Sequence, residues 1–211
     1  MLLLVLASGC SALSPSAMQQ PSLFSLDSGR LEAQPASRAP AALPPTAPTL
    51  IVNPPHAAAG FDSQRIVYVR EAHKREYFAH NEWVDAPARM LAPLIVAALE
   101  NSGAFGAVVL TPSAAAGDLR LDTEIIRLQH EFGTQPSRVR FTLRAYVVNN
   151  ATRRVVAWRE IDETVSAASE DPYGGVVAAN RAVQSALHQL ADFCSKAALG
   201  WEPRAAEAKL K

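Results

Sequence analysis

Residues 76–105, EYFAHNEWVDAPARMLAPLIVAALENSGAF, hold a strand, a helix start and a helix stop in direct succession. Glu76-Tyr77-Phe78-Ala79 has the aromatic composition of a strand. Asp85 can accept from the first unpaired N–H groups of a helix, and Pro87 fits the first turn, where its missing N–H has no partner to lose. Met90, Leu91, Leu94, Ile95, Ala98 and Leu99 follow at helical spacing, an apolar stripe broad enough to cover one face of a sheet. Pro93 lies inside this stripe and predicts a bend, because it removes a ladder bond and crowds the preceding turn. Gly103 can take the left-handed conformation that ends the helix.

Outward from this segment the chain is rich in strands. Thr49-Leu50-Ile51-Val52 and Gln64 to Arg70 are β-rich runs separated by Pro54, Pro55, Gly60 and Asp62, and Glu76 to Ala79 reads as the hairpin partner of the second. Ala107 to Leu110 is a short strand. Three long strands follow, Asp118 to Phe132, Arg138 to Val148 and Arg154 to Val165, joined by the turn-like Gly133-Thr134-Gln135-Pro136 and Asn149-Asn150-Ala151-Thr152. An antiparallel meander is the expected topology. In its first strand Leu119, Leu121 and Ile125 keep one phase, then Ile126, Leu128 and Phe132 the other, which predicts a bulge or bend at Ile125 and Ile126.

In the middle strand Val139, Phe141, Leu143, Ala145 and Val147 point inward, while Arg138, Arg140, Thr142, Arg144 and Tyr146 point outward. A hairpin loop at Asn149 to Thr152 sets Phe141 beside Ile161, Ala145 beside Ala157, Val147 beside Val155, Arg140 beside Asp162 and Arg144 beside Trp158. Arg159 then falls inward beside Leu143, which demands an open edge, a carboxylate or a bulge. The outward arginines face neutralising partners in Glu160 and Asp162.

Asp171 and Pro172 start a second helix reaching to about Leu199, with Val176, Asn180, Val183, Leu187, Leu190, Cys194 and Ala197 as its core stripe. Gly174 and Gly175 lower helix propensity in the first turn, and close approach of another backbone, in this chain or a partner, accounts for them. The fold expected from these pieces is α+β: an antiparallel sheet with a three-strand meander and two amphipathic helices packed on one face.

The chain opens MLLLVLASGC, an apolar run ending in small residues before a cysteine. The pattern matches a lipobox, with residues 1–9 a signal-peptide remnant and Cys10 the lipidation site. A basic n-region and a longer apolar core are missing, and an apolar N-terminus with a buried cysteine is the competing account. Residues 10–48 are expected to be a lipid-anchored Pro/Ala/Ser-rich tether: nine of the fifteen prolines lie between Ser11 and Pro55. Such composition cannot bury a core and makes a semi-stiff spacer. Part of it, SLFSLDSGRLEAQP, has scattered leucines and either stays free or docks on the domain or on a partner. Residues 49–200 form the single domain and residues 201–211 a tail.

With 20 basic and 20 acidic residues the net charge is zero, so nothing marks a nucleic-acid partner. No apolar run has the roughly 18 residues of a membrane span. P-loop, G-x-S-x-G, H-E-x-x-H and C-x-x-C signatures are missing, and His56, His73, His80, His130 and His188 lack the spacing of a metal cluster. No catalytic residue, cofactor or metal is therefore assigned. Cys194 reads as a small buried hydrophobe.

The order of lipobox, proline-rich tether, LIV…PP…GFDSQRIVYVR, YFAHNEWVDAPARMLAPLIVAALENSGAF and EDPYGGVVAANRAV resembles the ABC-type transport auxiliary lipoprotein family over about Leu50 to Phe193. The resemblance implies an accessory component, not a motor, and together with the missing catalytic signatures no enzymatic activity is expected. It implies an MCE-domain protein as partner and, through it, a permease and an ATPase, moving lipids or other hydrophobic molecules between inner and outer membranes. A homo-oligomer is compatible with it. The runner-up roles are a stand-alone envelope enzyme and a purely structural envelope-assembly lipoprotein. Ser11, rather than aspartate, follows the cysteine, which favours the periplasmic face of the outer membrane. For partner binding the candidates are Tyr77, Phe78, Trp83, Val84 and Tyr173, aromatic and apolar residues at element entrances, with Gly174 and Gly175 beside them. Trp83 is either such an anchor or a staple across the helix start.

Overall fold

β7 (Leu119–Glu131) is the strand on which the sheet is assembled, because both of its edges carry partner strands. One edge pairs antiparallel with β8 (Arg138–Asn149), which pairs in turn with β9 (Arg154–Ser166). The other edge is divided among three short strands, all parallel to β7 and taken in chain order. β2 (Thr49–Val52) sets Leu50 opposite Leu119, β3 (His56–Ala57) sets His56 opposite Glu124, and β4 (Arg65–Val69) sets Tyr68 opposite His130. β5 (Glu76–Trp83) then pairs antiparallel with β4, and β6 (Ala107–Leu110) parallel with β2. β1 (Ser22–Phe24), from the tether, lies parallel to β5. This computed structural model describes residues 20–27 and 47–201; Cys10, the signal remnant, the rest of the tether and most of the tail lie outside the described residues.

The expected fold is corrected accordingly. In place of an antiparallel sheet with a three-strand meander and two helices on one face, nine strands among the described residues form one large mixed sheet. The meander survives as β7, β8 and β9, but β1, β2, β3, β4 and β6 join by parallel pairing. Turn residues reveal strands that are neighbours in sequence, whereas parallel partners are joined by long crossovers that leave no local mark.

The predicted change of face in β7 is real: the register with β8 shifts between Ile125 and Arg127, leaving Ile126 as the extra residue. The expected register between β8 and β9 is displaced by two residues. Leu143, not Phe141, lies opposite Ile161, and Ala145 lies opposite Arg159. The closing pair is Asn149 with Arg154, and a bulge between Val147 and Val148 adds the remaining shift. A two-residue slip preserves the faces, so the inward row Val139, Phe141, Leu143, Ala145 and Val147 is buried as expected. Arg159 points toward α2 (Pro172–Leu199) from an edge strand, exposed, with its Nη2 3.4 Å from Gln189 Oε1.

α1 (Pro87–Ser102) starts on Ala86 rather than Asp85. Asp85 accepts from the Ala86 N–H at 2.7 Å and pairs with Arg89, so its carboxylate is engaged one step too early to cap. Gly103 ends the helix at φ 64° as predicted. α2 begins as predicted, with the Gly174 N–H donating to Asp171 Oδ1 at 2.7 Å. Leu91, Ile95 and Leu99 of α1 and Val176, Val183, Leu187, Leu190 and Cys194 of α2 share one core with the inward rows of β7 and β8. Ala178, Ala179, Ala182 and Ala186 are buried too, so α2 is covered around a wider arc than its large residues mark.

Candidate functional site

The start of α2 brings together most of what the sequence singled out. Asp171 caps the helix, and the carboxyl is held below the usual carboxylate range by the Gly174 N–H first and a Ser169 hydrogen bond second. A Cβ on Gly174 would stand 2.3 Å from the Ser169 carbonyl oxygen, which is the backbone approach expected for this glycine. Gly175 has a different reason: a Cβ there would stand 2.4 Å from His130 Nδ1.

His130, at the end of β7, is buried. Its Nε2 lies 2.8 Å from the Ser137 hydroxyl, and the Ser137 N–H donates to Glu170 Oε1 at 2.8 Å. Burial pushes the imidazole pKa down, opposed by the nearby charges of Glu170 and Asp171. Ser137 and His130 have the spacing of a nucleophile and its base, but Ser137 is fully buried and the adjoining cavity, lined by Trp83, His130 and Gly175, is about 10 Å³. That volume holds about one water, not a substrate. The pair works as a buried brace joining β7, the turn before β8 and the α2 entry.

On the outer side of the α2 entry lies the tether segment. β1 sets Ser22 opposite Asn81, Leu23 opposite Glu82 and Phe24 opposite Trp83, and the Val84 N–H donates to the Phe24 carbonyl at 2.8 Å. Leu26 is buried in the core, and its N–H lies 3.4 Å from Met90 Sδ. Asn180 clamps the end of the segment: its side-chain oxygen accepts from the Asp27 N–H at 2.9 Å, and its amide donates to the Ser25 carbonyl at 3.1 Å. The scattered leucines of this stretch were the sequence signal for docking. Asn180, a polar residue in an apolar stripe that holds the backbone of Ser25 and Asp27, was not legible as a clamp.

Around the docked segment runs the most exposed apolar surface near the candidate residues. Tyr173 is 64% exposed, Leu23 59% and Val84 45%. Phe24 lies 6.4 Å from the Tyr173 ring, and an open groove of about 410 Å³ runs between the segment and α2, past Tyr173, Val177 and Arg181. Of the residues predicted for partner contact, Tyr173 and Val84 flank this groove or the segment, and Tyr77 is accessible on β5 under the Arg65 guanidinium. Phe78 is half-buried in a cluster with Tyr68, Phe132 and His130. Trp83, 3% exposed, is in the core, and Gly174 and Gly175 are buried. The structure therefore brings Tyr173 and the unpredicted Leu23 together along one groove, sets Val84 beside the docked segment on its α1 side, and takes Trp83 into the core.

The arginine face of the meander is neutralised. Arg140 donates three bonds to Asp162, from Nε at 2.9 and 3.1 Å and from Nη2 at 2.5 Å, and Arg144 meets Glu160 at 2.9 Å rather than stacking on Trp158. Thr142 also donates to Asp162, at 2.6 Å. Among the described residues no three His, Cys, Asp or Glu side chains group as a metal site, and no helix is long and apolar enough to cross a membrane.

A family model for the ABC-type transport auxiliary lipoprotein component matches residues 30–192. No curated protein matches the chain. Among solved structures, the crystal structure of protein XCC0632 from Xanthomonas campestris, assigned to DUF330, is similar with a TM-score of 0.67 and 23% identity, over 75% of this chain and 90% of that one. A second crystal structure, of an uncharacterized protein, gives a TM-score of 0.62 and 11% identity over 82% of this chain and 97% of its own. At these identities both likenesses concern the fold.

Proposed function

This chain belongs to the ABC-type transport auxiliary lipoprotein family, and from that membership we propose that it serves an MCE-type system moving lipids or other hydrophobic molecules between the inner and outer membranes. Its part is accessory: it binds the MCE-domain protein and, through it, works with the permease and the ATPase. A lipid on Cys10 holds it at the periplasmic face of the outer membrane. The observation that carries this reading is the family match over residues 30–192. The lipobox sequence before Cys10 and the serine at position 11 support the anchor and its location. The exposed group Tyr173, Leu23 and Val84 offers the apolar contact area that a protein partner needs.

Two measurements test it. Cys10→Ala is expected to leave a folded protein that no longer sediments with membranes, because the tether has too little apolar surface to hold it there. Membrane association of that variant in detergent-free fractionation, with no partner present, would remove the anchor. Co-purification of the wild-type lipoprotein with an MCE-domain protein of the same cell, lost in Tyr173→Ala, is the expected partner result. Absence of any such complex after cross-linking would remove the partner.

A further inference from the structure

The docked tether segment occupies a position that has a mechanical consequence. Residues 22–27 are held to the domain by three kinds of contact: strand pairing with the β5 edge, the buried Leu26, and the Asn180 clamp on Ser25 and Asp27. Those contacts divide the tether into two pieces of different length. From Cys10 to Ser22 the chain can span at most about 40 Å, whereas from Cys10 to Thr49 it can span at most about 130 Å. While the segment is docked, only the shorter piece determines how far the domain stands from its anchor.

We propose that Ser22–Asp27 is a releasable strap that sets the reach of the domain, short when docked on β5 and α2 and long when undocked. This rests on the lipid anchor at Cys10. The contacts suit a reversible element. The strap carries a three-residue strand on a sheet edge, with Ser22 and Leu23 exposed, and a single buried side chain, Leu26, beyond it. Ordering its backbone offsets much of what those contacts contribute, which places it at the low end of local stability. Docking also covers the Asn81–Trp83 stretch of the β5 edge. A partner strand adding to that edge competes with the strap, so occupancy of the edge and reach from the membrane are linked.

The test uses the acylated full-length protein reconstituted into phosphatidylethanolamine/phosphatidylglycerol vesicles that carry an acceptor dye. A donor is placed on Ala151→Cys in the exposed β8–β9 turn; Cys194 is buried, with its thiol pushed up to about 12, and does not compete for the label. The same Gly/Ser spacer is inserted either between residues 11 and 19 or between residues 28 and 46. With the strap docked, the first insertion lowers energy transfer several-fold and the second leaves it unchanged. In a Leu26→Asp background, checked for folding by circular dichroism and for strap release by exchange of the Val84 amide, both insertions lower it alike. Equal effects of the two insertions in the wild-type background overturn the strap. Failure of the protein to associate with vesicles at all overturns the anchor, and the strap's role with it.

Discussion

Gly175 lies against the ring of His130, with a Cβ on the glycine brought to 2.4 Å from Nδ1. The imidazole cannot easily yield, because its other nitrogen is held at 2.8 Å by the buried Ser137 hydroxyl. Gly175→Ala is therefore expected to destabilise the protein by about 1–3 kcal/mol, the range for overpacking a close-packed site. Urea unfolding checks this. Adding His130→Ala should recover part of the loss, since it removes the atom in conflict.

The same histidine makes stability depend on pH. Burial depresses its folded-state pKa, so the unfolded chain binds the proton more readily than the native one. Stability then rises with pH through the interval between the folded and unfolded values, and falls as pH drops below the ordinary histidine value of about 6.5. Asp162 and Asp171, held low by the Arg140 hydrogen bond and the Gly174 N–H respectively, add their losses only further down, through the carboxylate range. Unfolding midpoints between about pH 7.5 and about pH 5 should decline in the wild type and flatten in His130→Gln. A slope unchanged by the substitution would place the titrating group elsewhere.

Trp83 and Tyr173 should separate stability from binding. Trp83 is in the core, so Trp83→Ala is expected to cost about 3–5 kcal/mol, read as a lowered melting temperature. Tyr173 is exposed at the α2 entry, and Tyr173→Ala should change stability by less than about 0.5 kcal/mol. Weakened capture of the partner by the folded Tyr173 variant is the expected result, and unaltered capture would take Tyr173 out of the interface.

Arg140 and Asp162 form the best-made ion pair on the outer face, yet both side chains remain more than a third exposed, at 36% and 38%. A double-mutant cycle of Arg140→Ala with Asp162→Ala should return a coupling of at most about 1 kcal/mol that shrinks with added salt. A larger, salt-insensitive coupling would mean that Thr142, which donates to the same carboxylate, shields the pair from solvent.

Local periodicity determined much of this molecule. The phase change at Ile125 and Ile126, the inward row of β8, the Asp171 cap and the Gly103 stop each depend on residues within a few positions of one another, and each is found where the pattern put it. The helix entry at Ala86 differs by one residue because Asp85 has a competing partner, Arg89, inside the same turn. What only the tertiary structure decided involves residues far apart in the chain. The parallel strands along β7, the burial of Trp83, the brace between Gly175 and His130, and the docking of Leu26 beside Asn180 are of this kind. A hydrogen-bonding strand edge accepts any extended backbone, and an apolar side chain fits any core of suitable shape. Which ones meet is decided when the whole sheet and both helices close on each other, and no single segment carries that information.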